Sequence, residues 1–185
     1  MDEKEMKKLQ RRKRLFKTDK AVDKFIEDWD DVSLWIWNEI FNKYAASPST
    51  SWKDLADRVF SQYVRLYYAN DLWFCKCITC WKVMKFEDIQ NWHYRSRTSM
   101  KYRFDIRNCH PQCFSCNVCK HWDYRNYRNK IVELYWEELE EDMWNSKDSV
   151  WYSQWWFEDS IFEWYKFIST KKIKVGIERE KSFIH

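Results

Sequence analysis

Two short cysteine motifs decide the fold, Cys77-Ile78-Thr79-Cys80 and Cys113-Phe114-Ser115-Cys116, which are separated by residues 81–112. Each C-x2-C turn delivers two thiolates to one point, and a tetrahedral zinc ion takes four such ligands. Residues 1–20 are charged throughout and hold no apolar run typical of an export signal, so we expect reduced cysteines. The spacing therefore predicts a structural zinc ion rather than disulfides, and the alternative is a set of reduced, unliganded thiols. The predicted ligands are Cys77, Cys80, Cys113 and Cys116.

The chain has 7 cysteines, so three are surplus to a four-thiolate site. We expect Cys75, Cys109 and Cys119 to act as small apolar residues. The formal net charge of +4 over 185 residues is mild, so charge alone does not indicate a nucleic-acid partner. No run of 18 or more apolar residues occurs, which excludes a membrane span and favours a cytoplasmic protein without a membrane partner.

Three regions follow from the sequence pattern: a charged, helical N-terminal extension (1–50), a zinc-containing domain (51–142) and an aromatic-rich C-terminal tail (143–185). Ser51 is placed to cap a helix, with Asp54 in its first turn. A short helix is predicted to begin near Pro111 and to reach about Lys120. A longer one is predicted over about 124–142, with a break at Trp136. Its inward-facing residues would be Tyr127, Ile131, Leu134 and Tyr135.

The segment between the cysteine pairs carries polar motifs that resemble those of a known protein family. These are Asn91-Trp92-His93-Tyr94-Arg95-Ser96-Arg97, Arg103-Phe104-Asp105 and Asn108-Cys109-His110-Pro111-Gln112, and Asn117 directly follows the second cysteine pair. Over residues 52–142 this arrangement resembles zinc-stapled HNH nucleases and, more narrowly, the NinG/Rap recombination endonuclease family of lambdoid phages. The resemblance implies an α+β fold, with a small ββα-metal (HNH, or His-Me finger) core and a four-cysteine zinc site, flanked by helices.

The resemblance also implies a role for four residues. His93 would be the general base, because its near-neutral pKa allows proton uptake at physiological pH. Asn108 would hold the loop that positions the His93 strand. Asn117 would bind a catalytic Mg²⁺ or Mn²⁺ ion through its amide oxygen, and His110 would be a second ligand or a phosphate contact. A core or zinc-site position is the alternative for both histidines.

One position departs from the HNH pattern. Many HNH enzymes carry an Asp or His ligand directly before the base, where this chain has Trp92 and the NinG/Rap family has glycine. A second ligand for the catalytic metal would therefore come from elsewhere in the chain.

Five cations follow the proposed base, and we expect them to contact DNA phosphates; a solvated loop is the alternative. They are Arg95, Arg97, Lys101, Arg103 and Arg107.

The leading functional hypothesis is a metal-dependent endonuclease in phage recombination, acting on branched intermediates such as D-loops and Holliday junctions. The branched DNA substrate, and recombination proteins as further partners, come from the resemblance alone. The alternative is a non-catalytic, zinc-stabilised nucleic-acid-binding module. A third hypothesis is a protein-interaction adaptor that binds through the acidic segment Glu133–Asp142 and the aromatic tail.

The glycine and tryptophan contents are abnormal. Average usage predicts roughly 13 glycines in a chain of 185 residues, whereas this chain has 1 glycine and 14 tryptophans. Several of the tryptophans lie in turn-like or helix-ending contexts that favour glycine. The resemblance to the NinG/Rap family, which carries glycine at the corresponding positions, implies glycine at five positions in the protein as its host makes it, and UGA codons read as glycine would account for them. The positions are Trp73, Trp81, Trp92, Trp122 and Trp136.

Overall fold

The computed structural model describes residues 31–45, 50–119, 123–147 and 149–182. Its helices and strands are, in chain order, α1 (Asp31–Tyr44), α2 (Trp52–Tyr67), β1 (Phe74–Lys76), β2 (Val83–Lys85), β3 (Gln90–His93), α3 (Met100–Arg103), β4 (Cys109–Gln112), α4 (Tyr124–Asn145) and α5 (Gln154–Ser182). The fold is therefore of the α+β class. Within the described ranges, no helix combines the length and the apolar character needed to cross a membrane.

The described residues form two compact units. The first consists of those up to Val59 together with Gln154–Tyr165, and the second consists of Phe60–Ser153 and the residues from Lys166 onward. The three regions predicted from the sequence remain a prediction.

Helical packing around aromatic rings holds the first unit together. Buried Trp37 of α1 meets Trp52 edge-on at a ring distance of 5.7 Å and lies 6.1 Å from Phe162 of α5. The start of α2 is capped as predicted, because the backbone N–H of Asp54 donates to Oγ of Ser51 at 3.1 Å.

The second unit contains two antiparallel pairs of strands. Strands β1 and β2 form a hairpin whose connection carries Cys77 and Cys80. Strands β3 and β4 pair so that His93 lies opposite Cys109 and Trp92 lies opposite His110. His93 is therefore the last residue of a strand. The core beside this pair contains Ile78, Tyr94, Tyr102, Tyr127, Ile131 and Met143.

The helix predicted over about 111–120 begins later than expected. Residues Cys109–Gln112 pair with β3 instead, and a short helical segment follows them, with a π-helical turn at Ser115–Cys119. The backbone N–H of Ile78 donates to the carbonyl of Pro111 at 2.9 Å, which ties β4 to the first cysteine motif. Strand pairing on one side and the cysteine pair on the other leave Pro111 no room to start a helix.

Helix α4 begins at Tyr124 as predicted and is interrupted at Trp136 as predicted, although it ends later, at Asn145. Tyr127 and Ile131 are buried. Leu134 is half exposed, so its predicted inward orientation is wrong. The inward stripe follows spacing of four residues, from Tyr127 through Ile131 to the partly buried Tyr135, and Leu134 lies beside that stripe.

Four non-glycine residues in the described ranges have positive φ: Trp73 (66°), Trp81 (62°), Trp136 (72°) and Asp123 (45°). Three of them are tryptophans at which the sequence predicts glycine. Trp92 lies in a strand with an ordinary backbone, and Trp122 lies outside the described residues.

Candidate metal centre and active site

The four predicted cysteine ligands come together. Their sulfur atoms all lie within 4.8 Å of one another, and Sγ of Cys80 is 3.7 Å from Sγ of Cys113. Four thiolates around one zinc ion at about 2.3 Å have sulfur–sulfur separations of about 3.8 Å. The cluster is therefore compatible with a single structural metal ion such as zinc.

Hydrogen bonds around the cluster also favour the thiolate form of Cys77. Burial raises the pKa of the Cys77 thiol, but the backbone N–H of Cys113 and the Thr79 hydroxyl oppose burial, and the pKa is lowered to about 7. The Cys113 N–H lies 3.4 Å from Sγ of Cys77. Burial raises the pKa of Cys116 to about 12, so a thiolate at that position needs a bound cation. Of the surplus cysteines, Cys75 and Cys109 are buried and Cys119 is exposed.

His93, at the end of β3, is oriented by a backbone carbonyl. Its Nε2 lies 2.9 Å from the carbonyl oxygen of Arg103. A carbonyl oxygen only accepts hydrogen bonds, so Nε2 carries the proton of the neutral ring and the lone pair is on Nδ1. The geometry therefore leaves Nδ1 as the basic nitrogen of His93.

Asn108 is fully buried and links the exit of β3 to the end of α3, which contains Arg103. Its Oδ1 accepts a hydrogen bond from the backbone N–H of Arg95 at 2.6 Å. Its Nδ2 donates to the carbonyls of Arg95, at 3.0 Å, and of Tyr102, at 2.9 Å. Because Tyr102 directly precedes Arg103, one side chain fixes both the strand that ends at His93 and the carbonyl that orients the His93 ring.

His110 occupies a core position. The residue is 1% exposed, and its Nδ1 and Nε2 each lie 3.2 Å from a hydroxyl, of Tyr127 and Tyr135 respectively. Burial lowers the pKa of His110 to about 3. The structure thus keeps His110 neutral and satisfied inside the fold, which does not favour the ligand or phosphate-contact role implied by the resemblance.

Asn117, in the π-helical turn, is buried and directly follows Cys116 of the cysteine cluster. Its Nδ2 donates to Oε1 of Gln90 at 2.5 Å, and its Oδ1 is buried without a hydrogen-bond partner among the described residues. Gln90 and His93 are three residues apart in β3, so their side chains leave opposite faces of the strand. The structure therefore does not bring Asn117 into the cavity beside His93.

The residues present do not make a complete site for a catalytic Mg²⁺ or Mn²⁺ ion. The unpartnered amide oxygen of Asn117 has suitable chemistry, but it is one ligand. Among the described residues, the cysteine cluster is the one group of three or more His, Cys, Asp or Glu side chains placed to hold an ion.

A half-open cavity of about 260 Å³ lies beside His93. Its walls are mainly aromatic, and Arg97 and Ser96 add polar groups. The lining residues are Trp92, His93, Tyr94, Ser96, Arg97, Tyr124 and Tyr127.

Aromatic and acidic side chains that sequence reasoning missed support one wall of this cavity. The Tyr94 hydroxyl donates to Oε1 of buried Glu140 at 2.5 Å and lies 2.6 Å from the hydroxyl of Tyr124. Trp144 Nε1 donates to the same Tyr94 oxygen at 2.9 Å. The spacing of Tyr124 and Tyr127 on one face of a helix was a visible signal, whereas the link from Tyr94 to Glu140 spans 46 residues and gave none.

The five predicted DNA-binding cations differ in their surroundings. Lys101 pairs with Asp142 at 3.3 Å and Arg107 pairs with Asp105 at 2.6 Å, so carboxylates already partly neutralise both. The Arg95 guanidinium lies over the Trp144 ring at 4.8 Å. Arg103 donates to the backbone carbonyl of Arg97 at 2.5 Å. Arg97 itself is exposed and lines the His93 cavity.

An α+β domain with a four-cysteine cluster that could hold a structural metal ion, and with a carbonyl-oriented histidine at a strand end, is the class of protein that the fold and the site define. The family model described as "Bacteriophage Lambda NinG protein" matches residues 2–160. The chain therefore belongs to the NinG family, over a longer stretch than the 52–142 resemblance seen in the sequence. No curated protein and no solved structure matches the chain.

Proposed function

We propose that this NinG-family protein is a DNA endonuclease of the HNH (ββα-metal) type that acts on branched recombination intermediates such as D-loops and Holliday junctions, in the cytoplasm of the phage's host. The observation that carries the proposal is the fixed His93 ring. Nε2 is bound to the Arg103 carbonyl, and buried Asn108 holds the loop that supplies this carbonyl. The same ring lines the half-open cavity, where a substrate could reach it.

The proposed step uses His93 as a general base. Nδ1 takes a proton from water, the resulting hydroxide attacks the phosphorus, and the bond to the leaving sugar oxygen breaks; that oxygen then takes a proton from solvent. The Nε2–H bond to Arg103 stabilises the imidazolium that forms. Arg97, at the cavity, would neutralise charge on the phosphate.

A divalent cation such as Mg²⁺ or Mn²⁺ would supply further charge neutralisation at the phosphate. The amide oxygen of Asn117 has suitable chemistry for such a cation, but Asn117 does not line the His93 cavity, so ligands for a cation at that cavity would have to come from elsewhere in the chain. The metal requirement is part of the proposal.

The cavity supports the branched-substrate part of the proposal. Tyr94 and Tyr124 stack at 5.2 Å with an angle of 12° between their rings, and Tyr124 is partly exposed. Aromatic faces bind unstacked bases with little sequence preference, at roughly 1–3 kcal/mol per base. Bases in intact duplex DNA are stacked on their neighbours, whereas D-loops and flaps offer unpaired ones. An aromatic wall beside the base therefore favours DNA with unpaired nucleotides.

The non-catalytic module remains the alternative, with His93 as a structural residue. Incubation of the chain carrying glycine at the five positions predicted from the sequence with linear, flapped and four-way DNA, with Mg²⁺ or with EDTA, separates the two functions. We expect Mg²⁺-dependent cleavage of the flapped and four-way DNAs in preference to the linear one. Binding of all three without cleavage under either condition would contradict the nuclease and support the binding module.

A further inference from the structure

The backbone identifies positions at which tryptophan does not fit. A left-handed conformation brings Cβ close to the following carbonyl oxygen, which costs roughly 1–2 kcal/mol for residues other than glycine, and bulky residues with positive φ are genuine outliers. Of the four such residues described here, three are tryptophans. No other tryptophan in the described ranges has positive φ.

Trp136 is the clearest case. Its φ of 72° and ψ of 164° fall in a region of backbone space that is essentially restricted to glycine. It interrupts α4, and its side chain is 77% exposed, so packing of the indole does not compensate the strained backbone.

Trp81 closes the first cysteine motif. Its backbone N–H donates to the carbonyl of Cys77 at 2.9 Å, and its φ is 62°. The ring is 55% exposed. The tight turn that delivers two sulfurs to the metal cluster requires this conformation, and glycine adopts it without cost.

Trp73 ends a tight turn. Its backbone N–H donates to the carbonyl of Asn70 at 3.0 Å, the bond that defines a four-residue turn, and its φ is 66°. Glycine is favoured at the fourth position of such turns. The indole of Trp73 does pack on Phe86, at a ring distance of 4.7 Å. A comparison of the stabilities of variants at this position must therefore separate the loss of ring contacts from the relief of backbone strain.

We propose that glycine stands at positions 73, 81 and 136 in the protein as its own host makes it, because that host inserts glycine at the codon used there. A UGA codon decoded as glycine in the host, and as tryptophan elsewhere, accounts for both compositional anomalies at once: 1 glycine and 14 tryptophans. The proposal rests on backbone angles and composition and does not depend on the nuclease function. The strand conformation of Trp92 makes no such demand on that residue.

The gene and the protein from its host test the codon directly. We expect UGA at all three positions and glycine-containing peptides in the mass spectrum of the host-made protein. UGG codons at these positions, or tryptophan-containing peptides from the host, would overturn the proposal.

Paired substitutions test the backbone argument and remove the contribution of the ring. At positions 73, 81 and 136 we expect the Trp→Gly variant to have a folding equilibrium constant roughly five- to thirtyfold above that of the Trp→Ala variant. Trp155, which lies in helix α5 with an ordinary backbone, is the matched control, and there the order should reverse, with W155A more stable than W155G. Alanine variants as stable as the glycine variants at all three positions would contradict the proposal.

Discussion

The carbonyl oxygen of Arg103 lies 2.9 Å from Nε2 of His93, ten residues away along the chain, and fixes which ring nitrogen is basic. Arg103 ends α3, and the preceding carbonyl, of Tyr102, accepts a hydrogen bond from Asn108. The position of the His93 ring thus depends on a buried amide that does not touch it.

Replacing Asn108 tests this dependence. Asn108→Ala removes three hydrogen bonds to the backbone of Arg95 and Tyr102 and leaves buried polar groups unsatisfied, so we expect a loss of about 2–4 kcal/mol in the free energy of unfolding. Cleavage should fall with it. Asn91→Ala is the control, because the side-chain oxygen of Asn91 has no hydrogen-bond partner among the described residues. Denaturant unfolding that shows equal losses for the two variants would argue against a special role for Asn108.

Removal of the metal should destabilise the protein strongly. We expect one zinc ion per chain and a marked fall in Tm on chelation, since structural zinc contributes directly to folding free energy. Cys113→Ser should lose the zinc, whereas Cys119→Ser, at an exposed thiol outside the cluster, should retain it. Elemental analysis and thermal unfolding measure both effects, and full zinc retention by the Cys113 variant would disprove the assigned ligand set.

Burial of His110 predicts a pH dependence of stability. Burial lowers the folded-state pKa to about 3, below the ordinary value of 6.5, so between these pH values the unfolded chain binds the extra proton. The contribution of buried, neutral His110 to the free energy of unfolding is therefore fully present above about pH 6.5. It is lost as the pH falls below that value, at up to about 1.4 kcal/mol per pH unit. His110→Gln should show a correspondingly shallower decline in urea unfolding between pH 6 and pH 4. An unchanged slope would mean that His110 is protonated in the folded protein.

The cations beside the site should contribute unequally to DNA binding. Arg97→Ala should lower the slope of log K against log salt by about one, as expected for one lost phosphate contact. Arg107→Ala should change the slope less, because Asp105 already pairs with Arg107. Fluorescence anisotropy titrations over a range of salt concentrations measure both slopes. A larger effect at Arg107 would place the phosphate path away from the His93 cavity.

Spacing along the chain was enough to predict the four-cysteine cluster, whereas the strand position of His93 was implied by the family resemblance. Each C-x2-C turn is a local device, and its geometry does not depend on distant residues. The break in α4 at Trp136 was also predictable, because it depends on the local context of that residue. The fate of Pro111 was not predictable, because it depends on tertiary pairing. Proline is favoured in the first turn of a helix, but pairing of β4 with β3 overrides that preference.

Roles that depend on burial were also out of reach of the sequence. Both histidines belong to polar motifs between the cysteine pairs, yet the hydroxyls of Tyr127 and Tyr135 enclose His110, whereas a backbone carbonyl orients His93. Ion pairing of the cations was equally unpredictable, since nothing in the sequence shows that Lys101 pairs with Asp142, 41 residues further along the chain.

Cleavage of a four-way junction by the His93→Ala variant is the most direct test of the nuclease, and it is best made in a chain carrying glycine at positions 73, 81, 92, 122 and 136. That five-fold glycine protein should be active, and the chain with tryptophan at these positions should fold poorly and cleave weakly. His93→Ala should lose cleavage while DNA binding and zinc content stay near those of its parent, because the base and the metal cluster are separate sites. Equal cleavage by the variant and its parent, or loss of zinc in the variant, would contradict the assignment of His93 as the general base.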